Sequence, residues 1–174
     1  GQYSENFKLM SFVWSVWLLP KYSDKKAFSD YIETFSNLYN SDKFVPHLTL
    51  FGRLSISPYP FLPFFEKIKS DAEIVNVKTL NARIGDSYFK KLYLPLSLNK
   101  NIFELQRKIN NRLKSFREYR FDPHISLAYG NYKVARKDLM LISYKKMISF
   151  SSLAVVHTPN KVKNWTVIKK FDFI

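Results

Sequence analysis

Two of the three histidines in this 174-residue chain lie in nearly the same short sequence. His47 belongs to the run Phe-Val-Pro-His-Leu-Thr, and His124 belongs to the run Phe-Asp-Pro-His-Ile-Ser, 77 positions later. Because side chains alternate along a strand, each histidine shares a face with the hydroxyl two residues further on, Thr49 or Ser126. Each run therefore presents an imidazole beside a hydroxyl.

Two such pairs in one cleft would suit acid–base chemistry on a phosphate ester. Imidazole titrates near neutral pH, so one ring can be neutral while the other is protonated. The neutral ring can take a proton from water, and the protonated ring can give one to the leaving oxygen. Hydroxyls can donate hydrogen bonds to the non-bridging phosphate oxygens. We predict His47 and His124 as catalytic residues and Thr49 and Ser126 as phosphate-binding residues.

Other site chemistries fit the sequence less well. A single His-x-Thr is a weak motif, and a lone buried histidine usually satisfies a core hydrogen bond, but here the motif is repeated within a matching frame. Neither copy has a third metal ligand at helix or strand spacing, and Ser126 lacks a Gly-x-Ser-x-Gly frame. The chain has no cysteine, which excludes thiolate nucleophiles and disulfides. We expect no metal and no cofactor, and we interpret His157, outside the repeat, as structural or loop-exposed.

The first half of the chain predicts a strand, a helix and the first motif strand. The apolar run Phe12–Leu19 reads as a strand, and Ser23 or Asp24 is the expected cap of the following helix. The apolar stripe of that helix is Phe28, Ile32, Phe35 and Leu38. A second strand is predicted over Phe44–Leu54, and a short helix is predicted from Pro63.

The second half of the chain predicts further strands around an amphipathic helix. Strands over Glu73–Ile84 and Tyr88–Leu98 flank a hairpin turn at Gly85-Asp86-Ser87. The later predicted elements are a helix over Asn99–Phe116, the second motif strand over Phe121–Tyr129, a helix over Ala135–Tyr144, and strands over Met147–Val156 and Asn164–Phe173. This order favours an α+β fold with antiparallel sheets. We expect residues 1–174 to form one domain with two similar lobes.

The charge of the chain favours an anionic partner. It carries 28 Lys and Arg against 14 Asp and Glu, a net charge of +14. Such an excess attracts nucleotides, RNA or acidic membranes, although it is also typical of a generally lysine-rich surface. Arg107, Arg112 and Lys114 should share the solvent face of a helix, apart from the histidines. The apolar run Leu9–Leu19 is too short to span a bilayer, so we expect no membrane partner. We also expect the protein to be monomeric and cytoplasmic.

Taken together, these motifs resemble the two-histidine (2H) phosphoesterase superfamily, and most closely its cyclic phosphodiesterase branch. The supporting residues occur in the family's order along nearly the whole chain. They are the segment 15–20 (Ser-Val-Trp-Leu-Leu-Pro), the two histidine runs, Tyr129 and Trp165. The chain departs from the family in its basicity and in the proline-rich segment Ser57–Pro63.

The resemblance implies a bilobal α+β fold, with two antiparallel lobes related by a pseudo-two-fold axis around a central cleft. It implies metal-free hydrolysis of a nucleoside 2′,3′-cyclic phosphate or of ADP-ribose 1″,2″-cyclic phosphate. His124 would activate water and His47 would protonate the leaving oxygen, although the sequence treats them symmetrically. Tyr129 and Phe89 would line the cleft as substrate-binding residues; for Tyr129 the alternative is a core position, and facing inward would require a bulge or a strand end.

Two other functions are compatible with the sequence. The same superfamily contains enzymes that process RNA ends or 2′-5′ oligonucleotides, including ligases, and a basic surface would assist such substrates. A non-catalytic RNA-binding module, using the basic segment Arg107–Arg120 and exposed tyrosines, is the alternative from another class. Such a module has no need of two imidazoles paired with two hydroxyls.

Overall fold

The computed structural model describes residues 12–144 and 147–173, so the start of the apolar run, Leu9 to Ser11, lies outside the described residues. The strands and helices in chain order are β1 (Trp14–Pro20), α1 (Tyr22–Tyr39), β2 (Leu48–Leu54), α2 (Leu62–Asp71), β3 (Val75–Lys78), β4 (Arg83–Ser87), β5 (Lys90–Pro95), α3 (Lys100–Leu113), β6 (His124–Ala128), β7 (Met147–His157) and β8 (Thr166–Asp172). Short 3-10 helices cover Tyr59–Phe61, Arg136–Leu141 and Val162–Asn164.

The strands form two antiparallel sheets, and each sheet carries one histidine motif. The five-stranded sheet has the order β2-β1-β7, with β3 and β8 both pairing with β7. The three-stranded sheet has the order β4-β5-β6. The predicted bilobal α+β fold is therefore confirmed, with β2 in one lobe and β6 in the other.

The helices connect the two lobes. Helix α1 follows β1 in the chain but packs mainly against β6, while α3 follows β5 but packs mainly against β2. The apolar stripe of α1 buries Phe28, Ile32 and Phe35, although its fourth predicted member, Leu38, is exposed. Each motif strand is thus covered by the helix of the other repeat, which holds the two motifs near each other.

The repeat extends beyond the two short motifs into the pairing of the strands. Trp17 on β1 lies opposite Thr49, and Tyr93 on β5 lies opposite Ser126. In both ladders the next pair along skips one residue of the motif strand, Leu50 in β2 and Leu127 in β6. A bulge of this kind re-aims the side chains that follow it. The same irregularity at the same step of both repeats confirms the pseudo-two-fold relation of the lobes.

The predicted hairpin turn at Gly85-Asp86-Ser87 is wrong. These residues belong to β4, and the turn is formed by Tyr88 and Phe89. The pairing of β4 with β5 continues to Ser87, which lies opposite Lys90, with a register irregularity between Ile84 and Ser87. A Cβ at Gly85 would lie 1.9 Å from the carbonyl oxygen of Lys90, so this glycine serves close strand approach instead of a turn.

The predicted cap of the first helix is also wrong. The helix begins at Tyr22, and its N-cap residue, Lys21, makes no side-chain capping bond. Asp24 is buried and accepts hydrogen bonds from the Tyr144 hydroxyl and from the Ser149 N–H, 2.9 Å away. A carboxylate in this position links α1 to β7 across the fold, a long-range use that local sequence cannot reveal.

The remaining differences from the predicted elements are at their boundaries. The strand predicted from Phe44 begins at Leu48, and the strand predicted from Phe121 begins at His124, because a proline without an N–H precedes each histidine. The pair predicted from Glu73 is split, since β3 joins β7 and only β4 pairs with β5. The helix predicted over Ala135–Tyr144 is a 3-10 helix.

Among the described residues, no helix is long and apolar enough to cross a membrane.

We expect Gly130→Ala to destabilise the fold. Gly130 follows β6 with a φ of +144°, and a Cβ there would lie 2.2 Å from the ring of Tyr132. That ring stacks on Tyr39 with centroids 4.4 Å apart, so it cannot move without cost. Strained backbone of this kind costs about 1–3 kcal/mol. Urea denaturation should show a loss of this size, whereas Asn131→Ala at the exposed neighbouring position should leave the free energy of unfolding unchanged.

Candidate active site

One cleft collects every residue that the sequence predicts for the site. It has a volume of about 230 Å³ and is lined by residues of both sheets. The predicted residues in its wall are His47, Thr49, Phe89, His124, Ser126 and Tyr129. The two motifs therefore face a common space, as their repeated spacing predicts, while the chemical roles of these residues remain predictions.

His47 is buried in an aromatic environment. Its ring stacks on Trp17, with centroids 3.6 Å apart and an angle of 11° between the planes, and the edge of Trp165 completes the surroundings. Nδ1 lies 2.6 Å from the carbonyl oxygen of Val45. Burial lowers the pKa of His47 to about 3; the Val45 carbonyl opposes this shift, and the charge of His124 adds to it. His47 is therefore neutral at pH 7, with Nδ1–H donating to Val45 and Nε2 available as an acceptor.

His124 has the same backbone contact but a more polar environment. Its Nδ1 lies 2.8 Å from the carbonyl oxygen of Asp122 and 3.5 Å from the Asp122 carboxylate. Tyr93 meets the ring edge-on, with centroids 5.6 Å apart. The pKa of His124 is lowered, chiefly by burial; Asp122 opposes this shift, and the nearby Lys90 adds to it. The side chain keeps 19% of its surface exposed, so water can reach it more easily than it can reach His47.

One difference between the two histidine sites is at the equivalent position two residues before the imidazole. Val45 stands there in the first repeat and Asp122 in the second. Only the second copy places a carboxylate near Nδ1, and Lys90 pairs with that carboxylate at 2.5 Å. A carboxylate beside Nδ1 orients an imidazole and stabilises its protonated form.

One of the two hydroxyls already has a hydrogen-bond partner within the chain. Ser126 donates a hydrogen bond of 2.7 Å from Oγ to the carbonyl oxygen of Phe89, so its proton is already engaged in this structure. To donate to a phosphate, Ser126 would have to exchange this bond for one to the ligand. Thr49 is half-buried in the opposite wall of the cleft.

Aromatic side chains form one end of the cleft. Tyr129 is buried and stacks on Phe44, with centroids 3.7 Å apart, while Phe89 meets it edge-on. Phe89 in turn lies nearly parallel to Trp165 at 5.9 Å. The bulge at Leu127 explains how Tyr129 faces inward although simple alternation from His124 would point it outward. Burial raises the pKa of the Tyr129 hydroxyl, so this side chain is neutral at physiological pH.

Sequence reasoning missed several residues of the cleft wall. Arg53, Arg117 and Tyr119 line it, as do the hydroxyls of Ser15 and Thr158, which lie 2.8 Å apart. Tyr119 packs beside Gly52, where an added Cβ would be 3.3 Å from its ring. Gly52 occupies the repeat position that holds Tyr129 in the second copy, so Tyr119 supplies an aromatic ring from another segment. A search for this second tyrosine could have started from that gap in the repeat.

Other sequence predictions concern groups outside the cleft. Arg107, Arg112 and Lys114 are exposed on or directly after α3 and do not line the cleft, as predicted. His157 ends β7 and packs against Phe12 with ring centroids 5.3 Å apart. Across residues 12–144 and 147–173, no group of three or more His, Cys, Asp or Glu side chains is arranged to hold a metal ion.

Comparison with known proteins identifies the family of this chain. The model of the family described as cyclic phosphodiesterase-like protein matches residues 10–173. The chain therefore belongs to the cyclic phosphodiesterase-like family, which confirms the resemblance inferred from its sequence. A cyclic phosphodiesterase of Arabidopsis thaliana is 22% identical over 118 residues, which span 68% of this chain but only 65% of the plant protein.

Solved structures share the fold at low sequence identity. The protein TT0787 of Thermus thermophilus has a TM-score of 0.64 and 16% identity, covering 92% of this chain and 97% of that one. LigT of E. coli, in complex with 3′-AMP, has a TM-score of 0.59 and 11% identity, covering 93% and 98%. LigT has also been crystallised with NADP+ and with ATP. At these identities the likeness shows the fold alone.

The burial of His47 should make stability depend on pH. Its pKa is about 3 in the folded chain and about 6.5 when unfolded, so below pH 6.5 the unfolded state binds the extra proton. This contribution to stability is complete above pH 6.5 and is lost as pH falls towards 3, at about 1.4 kcal/mol per pH unit. Urea denaturation between pH 7 and pH 4.5 should therefore show a steeper decline for the wild type than for His47→Gln. Parallel declines would contradict the neutral, buried state of His47.

Proposed function

We propose that this protein hydrolyses a nucleoside 2′,3′-cyclic phosphate, or the related ADP-ribose 1″,2″-cyclic phosphate, to a phosphomonoester. The observation that carries the proposal is the pair of imidazoles in one cleft, each held through Nδ1 by the carbonyl oxygen two residues before it. This contact leaves Nε2 of each ring as the nitrogen available to a substrate. LigT, which shares the fold, has been crystallised with 3′-AMP and with ATP, and this supports a nucleotide as the substrate class.

In the proposed mechanism, His124 activates water. Its ring is reached by solvent, and the Asp122 carboxylate near Nδ1 orients the ring and opposes the lowering of its pKa by burial. The water attacks phosphorus as its proton passes to Nε2 of His124, and the bond from phosphorus to one ribose oxygen breaks. The product is an open phosphomonoester, with the phosphate on the 2′ oxygen by analogy with the family.

His47 is then the proton donor to the leaving ribose oxygen. Its lowered pKa makes its protonated form a strong acid. Since the free cleft keeps His47 neutral, the negative charge of the bound phosphate has to favour its protonation. Stacking on Trp17 keeps the ring in one orientation during this transfer. Thr49 and Ser126 would hold the non-bridging oxygens between the two rings.

A second candidate function keeps the site and changes the substrate to an RNA end. The observation that favours it is the presence of two arginines, Arg53 and Arg117, in the wall of the cleft that also holds the two motif histidines. Positive charges in the cleft wall increase the binding affinity of a polyanion more than that of a mononucleotide. Assays with short RNAs ending in a 2′,3′-cyclic phosphate separate the two functions, and the absence of any turnover would favour a non-catalytic RNA-binding module.

Removing either motif histidine should abolish most of the activity while the chain stays folded. His47→Ala and His124→Ala should each lower kcat/KM for a cyclic nucleotide by roughly 10²–10⁴-fold, because a positioned proton donor or acceptor is lost. Thr49→Ala and Ser126→Ala should have smaller effects. His157→Ala is the matched control, since this third histidine lies outside the cleft. Near-native turnover by either motif variant would exclude the role proposed for that histidine.

Hydrolysis should proceed without a metal ion. The proposed proton transfers need only the two imidazoles, so turnover should be equal with and without EDTA. The assay compares initial rates for the same cyclic nucleotide after exhaustive dialysis against the chelator. Loss of activity that zinc or manganese restores would overturn the two-histidine mechanism.

A further inference from the structure

Lys90 and His124 approach the same oxygen atom of Asp122. Nζ of Lys90 lies 2.5 Å from Oδ2 of the Asp122 carboxylate, and Nδ1 of His124 lies 3.5 Å from that oxygen. Nδ1 makes its shorter contact, 2.8 Å, with the backbone carbonyl oxygen of Asp122. A separation of 3.5 Å is longer than a normal N–H···O hydrogen bond. The carboxylate oxygen nearest to the imidazole is therefore held by Lys90 and not by the imidazole.

Lys90 is placed to reach both the carboxylate and the interior of the cleft. It is the first residue of β5, and its side chain forms part of the cleft wall. The ammonium lies 4.4 Å from the centre of the Tyr93 ring, which meets His124 edge-on. A lysine ammonium is a compact charge on a flexible four-carbon stem, so it can change partners without any movement of the strand.

The ion pair of Lys90 with Asp122 should contribute little to the stability of the fold. The two side chains keep 27% and 51% of their surface exposed, and ion pairs of such exposure are weak. The pair of Lys69 with Glu66 on α2 has almost the same exposure, 32% and 52%, but lies outside the cleft wall. The two pairs differ in their surroundings, because only the first has an imidazole beside its carboxylate.

The two charges beside Nδ1 act on His124 in opposite directions. Burial lowers the pKa of His124 most, the contacts with Asp122 oppose this shift, and the charge of Lys90 adds to it. As long as Lys90 holds the carboxylate, His124 is a weaker base than it would be with the carboxylate at Nδ1. Departure of Lys90 would remove a positive charge and free the carboxylate, and both changes strengthen the base.

The other titratable groups around His124 lack this link. Within the part of the chain that the structure describes, Lys90 is the only lysine or arginine that forms a salt bridge with Asp122. Burial raises the pKa of Tyr119 to about 12, with Asp122 adding to the shift and Arg117 opposing it, so this side chain is neutral at physiological pH. The remaining charged or titratable groups that face the ring or share its cleft are Tyr93, His47, Arg53, Arg117 and Tyr129.

We propose that Lys90 couples substrate binding to the activation of His124 by exchanging its anionic partner. In the free protein Lys90 holds the Asp122 carboxylate away from the imidazole. When a phosphate enters the cleft, the ammonium moves to it, and the carboxylate turns to share Nδ1–H with the Asp122 carbonyl. His124 is thus kept unprotonated in the free protein and becomes a stronger base only in the complex. This inference rests on the role of His124 as the base in the proposed function.

The first test measures the proton affinity of His124 in the free protein by NMR titration of its imidazole, assigned with a glutamine variant of each histidine. Lys90→Gln should move the His124 midpoint to higher pH, and Asp122→Asn should move it to lower pH. Lys90→Arg retains the charge and should keep most of the wild-type behaviour, while Lys69→Gln is the matched control and should change nothing. In the Asp122→Asn background, Lys90→Gln should have a smaller effect, because part of its action passes through the carboxylate. Equal effects in both backgrounds would exclude the proposed link.

The second test adds sulfate, a tetrahedral dianion whose charge is constant over the titration, with sodium chloride at the same ionic strength as the reference. Saturating sulfate should raise the His124 midpoint in the wild type. The rise should be smaller in Lys90→Gln and in Asp122→Asn, where only the charge of the anion itself acts on the ring. Equal rises in all three proteins, or no rise in the wild type, would overturn the exchange of partners.

Kinetics distinguish a failure of this inference from a failure of the proposed function. Lys90→Gln should lower kcat/KM for a cyclic nucleotide roughly 10-fold, because a charge-assisted contact with the phosphate is lost. It should also move the acidic limb of the pH profile of kcat/KM to higher pH, since that limb reports the base of the free protein. Turnover with identical acidic limbs in wild type and Lys90→Gln would overturn the role of Lys90 and leave the hydrolysis intact. The NMR results need no turnover, so they would support the role of Lys90 even if no cyclic phosphate were hydrolysed.

Discussion

The exchange of helices between the two repeats is the packing on which the site depends. Because α1 covers β6 and α3 covers β2, neither motif strand can be buried without the other repeat. The hydrophobic effect that stabilises each lobe therefore also fixes the distance between the lobes. A cleft between the two sheets follows from this arrangement, and the two imidazoles lie in its walls.

Within this frame the two halves of the site differ in their electrostatics. Both motif strands have the same bulge, and both imidazoles make the same carbonyl contact through Nδ1, so the backbone surroundings of the two rings are equivalent. The side chains around the two rings differ, because Trp17 stacks on His47 while Asp122 and Lys90 lie near His124. Two groups with the same intrinsic pKa thereby come to differ in proton affinity and in access to water. Such a difference is what a reaction that needs both an acid and a base requires.

The same comparison of repeats also reveals where the chain departs from symmetry for a local reason. Gly52 and Arg53 in the first repeat correspond to Tyr129 and Gly130 in the second. The first repeat has no aromatic side chain at this position, and Tyr119 packs in that space from the segment after α3. The neighbouring Arg117 reaches the same backbone. The segment after α3 thus completes the first half of the cleft, which explains why its charges are not simply part of the solvated helix face.

The fold class, the repeat and the histidine–hydroxyl pairs could be predicted from the sequence, because strand alternation and a repeated proline-histidine frame are local signals. Which other groups reach the cleft depends on how the whole chain packs. Asp24 looks like a helix cap in the sequence but bonds to β7, and Gly85 looks like a turn residue but allows close approach of β5. Arg117 lies far from Arg53 in the chain yet shares its backbone. These contacts join residues distant in sequence, and only the packing of the whole chain brings such residues together.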